Sequence, residues 1–353
     1  MSGETRIYLD EINTFAAVNS EDIVVTASSP GRAGILGNPS DMYGGAVLSC
    51  SISERAHCVL SKSSKLIVCI ENESAEFSSE SDYELRGDNF DIIRAVFHYF
   101  EIDPRSFHHR LDLHTDIPVS AGLSGSTALI ISAVGCILEI MDKKCSPYEI
   151  AETARRIEAE VMHMTCGFQD AYMSVFGGLN FVDLHGKDRL LGVPTEPYAT
   201  VEPLGQWLGD LPFILAHSGV RRVSGTVHRP IRERWLSGEP EVVAAYERIA
   251  DLARAGKAAM LEGDWQRVGD LMNENHDIQR SLGGSGSSNE QLISAALANG
   301  ASGAKLAGAG HGGTIIALTF DPDKTAAALL EAGAKRILHP KAVAGLTVER
   351  CST

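Results

Sequence analysis

The sequence predicts an α+β protein of two domains, and three observations carry that reading. At 353 residues the chain exceeds what one core of roughly 100–200 residues usually organises. Residues 22–70 hold several strand-like runs separated by turn residues. The second half sets helical stretches beside short strands, which argues against a doubly wound parallel sheet. Hydrophobic residues at 44% and charged residues at 22% are ordinary globular values, so a disordered, collagenous or coiled-coil chain is excluded. A formal net charge of -15, from 31 Lys+Arg against 46 Asp+Glu, argues against a general binder of nucleic acid or anionic membrane.

Taken in order, Asp22 to Ala27 reads as a strand. It leads into a turn-rich loop, Ser28 to Asp41, and a second strand, Ala46 to Ile52. Ala56 to Leu60 and Lys65 to Ile70 are further strands. Ile92, Ile93, Val96, Phe97 and Phe100 recur at helical spacing and predict a helix over Phe90 to Phe100. Leu111 to Thr115 is the next strand. A small-residue loop from Pro118 then feeds an apolar run to Ile140, so a helix starts inside the loop, its first N–H groups aimed at whatever the loop holds. Ser146 and Glu149 form a capping box that opens a helix to about His163.

Gly177 to Leu184 reads as a strand. Asp188 to Leu211, with Pro194, Pro197, Pro203 and Pro212 in or beside it, reads as the crossing between domains, giving domains of 1–200 and 201–353. Helices are expected over Pro240 to Glu262, Asp264 to Leu282, Glu290 to Ala298 and Lys324 to Ala332, with a strand over Thr314 to Phe320. The apolar stretch Thr127 to Met141 is interrupted by Ser132, Gly135 and Glu139 and is shorter than the ~20 residues of a membrane span. Met1 to Asp10 mixes charges of both signs and lacks an export layout. Seven cysteines without a CxxC pair fit reduced thiols. A cytoplasmic protein is the expectation.

Three glycine-rich segments carry the chemistry. No G-x-x-x-x-G-K-[ST] occurs, and Gly308 to Gly313 satisfies G-x-G-x-x-G only formally, because a strand follows it where a dinucleotide fold needs a helix. Gly122 to Ala128 is small enough to let backbone amides close on a phosphate, with a helix dipole behind; a tight strand-to-helix turn would look the same. The loop Ser29 to Asp41 mixes glycines with Arg32, Asn38, Ser40 and Asp41, a set suited to a polyhydroxylated substrate or to a solvent-facing turn. Glu160 and Asp170 could divide cation binding and the handling of an attacking hydroxyl, although paired acids are usually solvated.

Together Pro30-Gly31-Arg32 with Gly37-Asn38-Pro39-Ser40-Asp41, Gly122-Leu123-Ser124-Gly125-Ser126-Thr127-Ala128, and Lys305 to Gly313 resemble the three signature motifs of the GHMP kinases, in the family's order. Gly167-Phe168-Gln169-Asp170, Val175 to Leu179, Ser218 to Gly238 and Leu271 to Arg280 are similar to its glucuronokinase branch. The resemblance implies a GHMP kinase fold: an N-terminal domain like ribosomal protein S5 domain 2, then a ferredoxin-like domain, with the active site between them. It implies ATP and Mg²⁺ as cofactors.

ATP would lie on Gly122, Leu123, Ser124, Gly125, Ser126, Thr127 and Ala128, with Pro118, Ser120 and Ala121 leading in. Ser126 and Glu160 would hold magnesium, Glu158 being the alternative carboxylate. Asp170 matches the catalytic aspartate and Arg32 the arginine beside it. Arg32, Asn38, Ser40, Asp41 and Asp170, with Gly308 and Gly310, would meet the acceptor. Gly125, Thr127 and His311 depart from the residues usual at their positions.

The expected activity is ATP-dependent phosphorylation of a sugar hydroxyl, with glucuronate going to its 1-phosphate. Galactose, fucose or heptose phosphate are the alternative acceptors. A non-catalytic ATP and sugar sensor, and a decarboxylase of an isoprenoid diphosphate, are readings from other classes. The partners would be the sugar and ATP, with no nucleic acid and no membrane, in a monomer or homodimer. Arg221, Arg222, Arg229, Arg232 and Arg234 could recognise a uronate carboxylate or form a solvated helix face. His108, His109 and His114 are expected to be structural, Trp235 and Trp265 to pack, and Met162 and Met164 to fill gaps.

Overall fold

The computed structural model describes residues 22–187, 197–220, 224–308 and 310–351. The first sheet contains β1 (Ile23–Leu36), β2 (Ala46–Lys62), β3 (Leu66–Ile70), β4 (Glu73–Phe77), β5 (His109–Thr115), β6 (Leu179–Asp183) and β7 (Thr200–Pro203). The second contains β8 (Phe213–His217), β9 (Gly303–Leu306), β10 (Thr314–Leu318) and β11 (Arg336–Leu338), all antiparallel in the order β11-β8-β10-β9. A last strand, β12 (Thr347–Arg350), returns to the first sheet and pairs with β1. That sheet then runs β12-β1-β2-β5-β3-β4, with β6 and β7 continuing from one end of the long β2.

β7 straddles the expected division at residue 200, and β12 crosses back to the first sheet. An open edge on β1 would leave its N–H and C=O groups unpaired, and the chain tail supplies their partners. The segment Ser28 to Leu36, expected as loop, continues β1. Its register against β2 shifts between Pro30 and Arg32 and between Gly34 and Leu36, so the turn-prone residues mark bulges within a strand. β2 likewise joins two expected strands into one.

Nine helices are described: α1 (Asp91–Tyr99), α2 (Gly125–Ile140), α3 (Pro147–Arg156), α4 (Gln169–Phe176), α5 (Ser224–Leu236), α6 (Pro240–Glu262), α7 (Trp265–Ser281), α8 (Ser287–Ala298) and α9 (Pro322–Glu331). None is long and apolar enough to cross a membrane. α2 is buried from Thr127 to Leu138, against β1 and β2 on one side and α1, α3 and α4 on the others, which is why its sequence is apolar all round. In the second sheet the alternation of side chains feeds two cores. Ile214, Ala216, Ile315 and Ala317 meet α8 and α9, while Phe213, Leu215, Ile316 and Leu318 join the main core that α6 and α7 share with the first sheet.

The helix opened by the Ser146–Glu149 capping box stops short of His163. It passes at Arg156 into a π-helical turn, Ile157–Val161. α4 was not expected: it has eight residues, and no side chain at its N-cap bonds to it. Its cap comes from far away, the Asp41 carboxylate accepting from the N–H groups of Phe168 and Gln169 at 2.7 and 2.9 Å.

Candidate active site

The three glycine-rich segments meet at one pocket, contributed to by Arg32, Asn38 and Asp41, by Gly122, Ser126 and Thr127, and by Gly308. Close backbone approach makes this possible. Arg32 N–H donates to Leu123 O at 3.1 Å, and a Cβ on Gly31 would lie 2.7 Å from the same oxygen and 2.9 Å from Ile52 Cδ1. Gly31→Ala is therefore expected to displace the second segment and lower the thermal midpoint by several degrees, which a melting curve checks.

In the second segment Ser120, Gly122 and Ser124 have positive φ, at 56°, 74° and 70°. This bends the chain into the first turn of α2, whose leading amides have no intrahelical acceptor. Ala121, Leu123, Ser124, Thr127 and Ala128 are buried, so their side chains face the protein interior. Ser124 Oγ meets Ser174 Oγ at 3.2 Å. Ser126 is exposed and lines the pocket, as does Gly122. Pro118 and Ser120 lie outside the pocket lining.

Arg32 is 5% exposed and ties two of these parts together. Its Nη1 donates to Gly122 O at 2.7 Å, while Nε donates to Asp170 Oδ1 at 2.8 Å and Nη2 reaches the same oxygen. Asp170 Oδ2 has no hydrogen bond among the described residues, and the side chain is 35% exposed in the pocket. Asp41 is buried; burial pushes its carboxyl up, opposed by the Gln169 N–H, with the charge of Asp170 raising it further.

The structure puts the two candidate metal carboxylates on opposite sides. Glu160 lies on the outer face, its side chain 53% exposed and paired with Arg156 at 3.0 and 3.1 Å, and it is not among the pocket residues. Glu158 is 3% exposed, lines the pocket and accepts from Thr127 Oγ1 at 2.8 Å. The π-helical turn carries both acids, and two residues apart they point to nearly opposite faces, so only one of them faces inward. Burial pushes Glu158 up to about 8, a shift reinforced by the charge of Asp170. A buried carboxylate with one hydroxyl donor fits a hard cation that draws its other ligands from phosphate and water. Among the described residues no group of three His, Cys, Asp or Glu could hold a metal alone.

Two other expected acceptor residues are placed differently. Ser40 Oγ donates to Ala46 O at 2.9 Å and is absent from the pocket lining. Gly310 is buried against Gly284 and does not line the pocket, whereas Gly308 does. His311 bonds outward to Gly283 O at 2.7 Å. Arg221 and Arg222 lie outside the described residues, and Arg234 pairs with Glu239. His114 bonds Glu71 and Asp116, and His108 bonds Ser64 O. Trp235 packs on Tyr43 and Trp265 on Phe213. Met162 packs against the core, while Met164 is 38% exposed at the pocket, where it fills no gap.

Sequence reasoning missed Lys305, Asn275 and Asn289, all fully buried. Asn275 Oδ1 accepts from Gly37 N–H at 2.9 Å, and Asn289 clamps both polar groups of Gly312 at 2.6 and 3.1 Å. Lys305 and Asn275 fall within the motif-like segments Lys305 to Gly313 and Leu271 to Arg280, which gave neither a role; Asn289 had no signal.

The family model for the GHMP kinases N terminal domain matches residues 91–178, and that for the GHMP kinases C terminal matches residues 257–336. "Probable glucuronokinase 2" of Arabidopsis thaliana is 28% identical over 303 residues, covering 79% of this chain and 80% of its own. The D-glycero-alpha-D-manno-heptose 7-phosphate kinase of Campylobacter jejuni is 25% identical over 318 residues, covering 85% and 90%. Among solved structures, Lactococcus lactis galactokinase complexed with galactose superposes with a TM-score of 0.77 at 17% identity, covering 97% of this chain and 99% of that one. The chain thus carries the N- and C-terminal domains of the GHMP kinases, in order, on the GHMP kinase fold.

Proposed function

We propose that the protein transfers the γ-phosphoryl group of ATP, with Mg²⁺, to a sugar hydroxyl, and that the acceptor is glucuronate, phosphorylated at O1. The observation that carries the reading is the Arg32–Asp170 pair, which leaves Asp170 Oδ2 open in the pocket shared with Ser126, Thr127 and Glu158. In this reading the leading amides of α2 and Ser126 receive the phosphates. Ser126 Oγ and Glu158 would hold Mg²⁺, which when bound neutralises charge on the phosphate oxygens. Asp170 Oδ2 orients the acceptor hydroxyl and receives its proton as the oxygen bonds to the γ-phosphorus and the bond to the departing ADP breaks. Arg32 holds Asp170 in register and, through Gly122 O, keeps it at a fixed distance from the phosphate loop.

Arg229 and Arg232, exposed on α5 without an ion pair among the described residues, lie outside the pocket lining and would have to reach it to meet an acidic sugar. The glucuronokinase likeness supports the same acceptor. The test is an ADP-release screen across uronic acids, hexoses, deoxyhexoses and heptose phosphates, with phosphorus NMR locating the new ester. Release with glucuronate and phosphate on O1 is expected. Release confined to another acceptor would replace glucuronate, and binding of ATP and a sugar without any release would favour the sensor.

A further inference from the structure

One buried group is unused by that chemistry. Lys305, on β9 at the head of the third glycine-rich segment, is 0% exposed and has no carboxylate partner among the described residues. Its Nζ donates to Asn38 Oδ1 at 2.6 Å and to Leu306 O at 2.5 Å. Taking an ammonium out of water without a counter-charge is costly, and its neighbours Ala304, Leu306 and Ala307 make an apolar side chain the natural choice for β9. The fold alone does not call for this lysine.

Nζ donates to the oxygen of the Asn38 amide, so the amide turns its oxygen to the lysine and its nitrogen away. That settles an orientation which an asparagine by itself leaves open. Nδ2 is then the amide's remaining polar atom; Asn38 lines the pocket though only 2% exposed, and among the described residues the one acceptor for Nδ2 is Leu306 O at 3.4 Å, long for a hydrogen bond. The loop is also fixed from behind. Asn275 holds Gly37, and Gly34 has no room for a side chain, since a Cβ would lie 2.7 Å from Asn38 Cγ.

We propose that Lys305 is a positioning residue that sets acceptor specificity. By holding Oδ1 it makes Asn38 a hydrogen-bond donor in the pocket, so the substrate must offer a lone-pair oxygen there, and a substrate group that can only donate is rejected. This deepens the kinase reading and relies on it for the identity of the pocket.

The test uses Lys305→Met, Asn38→Ala, their double variant and Asn38→Asp in the full chain. In nitrogen-edited NMR without substrate, the Asn38 side-chain amide is expected to shift or broaden in Lys305→Met. In kinetics, Lys305→Met should raise the KM for the acceptor ~10-fold with the KM for ATP within ~2-fold, and the double variant should be no worse than Asn38→Ala. Asn38→Asp keeps a partner for Lys305 but has no N–H. It should melt no lower than the parent while losing ~10-fold in acceptor KM, so the proposal stays testable if Lys305→Met does not fold. An unmoved Asn38 amide, equal losses for ATP and acceptor, additive losses, or a parental acceptor KM in Asn38→Asp would each overturn it. If the parent protein phosphorylates nothing in the screen, the kinase reading fails while the amide resonance still decides the clamp.

Discussion

Asp170→Ala is expected to lose at least ~100-fold in turnover with ATP binding retained, the scale of removing a group used in the transition state. The variant leaves Arg32 with its bond to Gly122 O, so the phosphate loop keeps its anchor and the loss falls on the acceptor hydroxyl. Asp170→Asn separates the roles. An amide can still orient a hydroxyl but cannot take its proton, so turnover near that of Asp170→Ala assigns proton transfer, and substantial recovery assigns positioning. ADP release under saturating substrates, with nucleotide affinity measured calorimetrically, distinguishes these. Parental turnover in Asp170→Ala would remove the residue from the chemistry.

Glu158→Gln is expected to abolish most of the magnesium response, with turnover down at least ~100-fold at saturating Mg²⁺. Glu160→Gln should stay within ~2-fold, because exposed ion pairs contribute little. A Mg²⁺ titration of ADP release on both variants checks this, and a larger loss in Glu160→Gln would move the metal carboxylate to the outer face. The parent should also show a pH signature. Burial pushes Glu158 up to about 8, so below that pH a proton must leave before a cation enters. Apparent Mg²⁺ affinity should climb up to ~10-fold per pH unit on approaching 8 and level off above it.

The helices with a full apolar period or a capping signal were legible in the sequence: α1, α3 at its start, α6 and α7 lie within a residue or two of their expected ends at the positions so marked. What was illegible had partners distant in the chain. β1 continues through Pro30, Gly31 and Gly34 because β2 supplies a ladder across the bulges. α4 forms on a cap from Asp41, more than a hundred residues upstream. The short strands β7, β9, β11 and β12 carry too few residues for a period to show.

Within the site, residue types and their order along the chain determined which segments could hold phosphate and which could meet a hydroxyl, because glycine permits close backbone approach and a carboxylate accepts a proton wherever it stands. Tertiary structure alone decided which side chains face the pocket. Glu158 turns into the pocket while Glu160, two residues on along the same turn, pairs with Arg156 outside it, and Ser40 spends its hydroxyl on Ala46 O. Lys305 meets Asn38 because β9 passes behind the first glycine-rich segment. Such pairings depend on where two distant stretches cross, and no local pattern encodes that crossing.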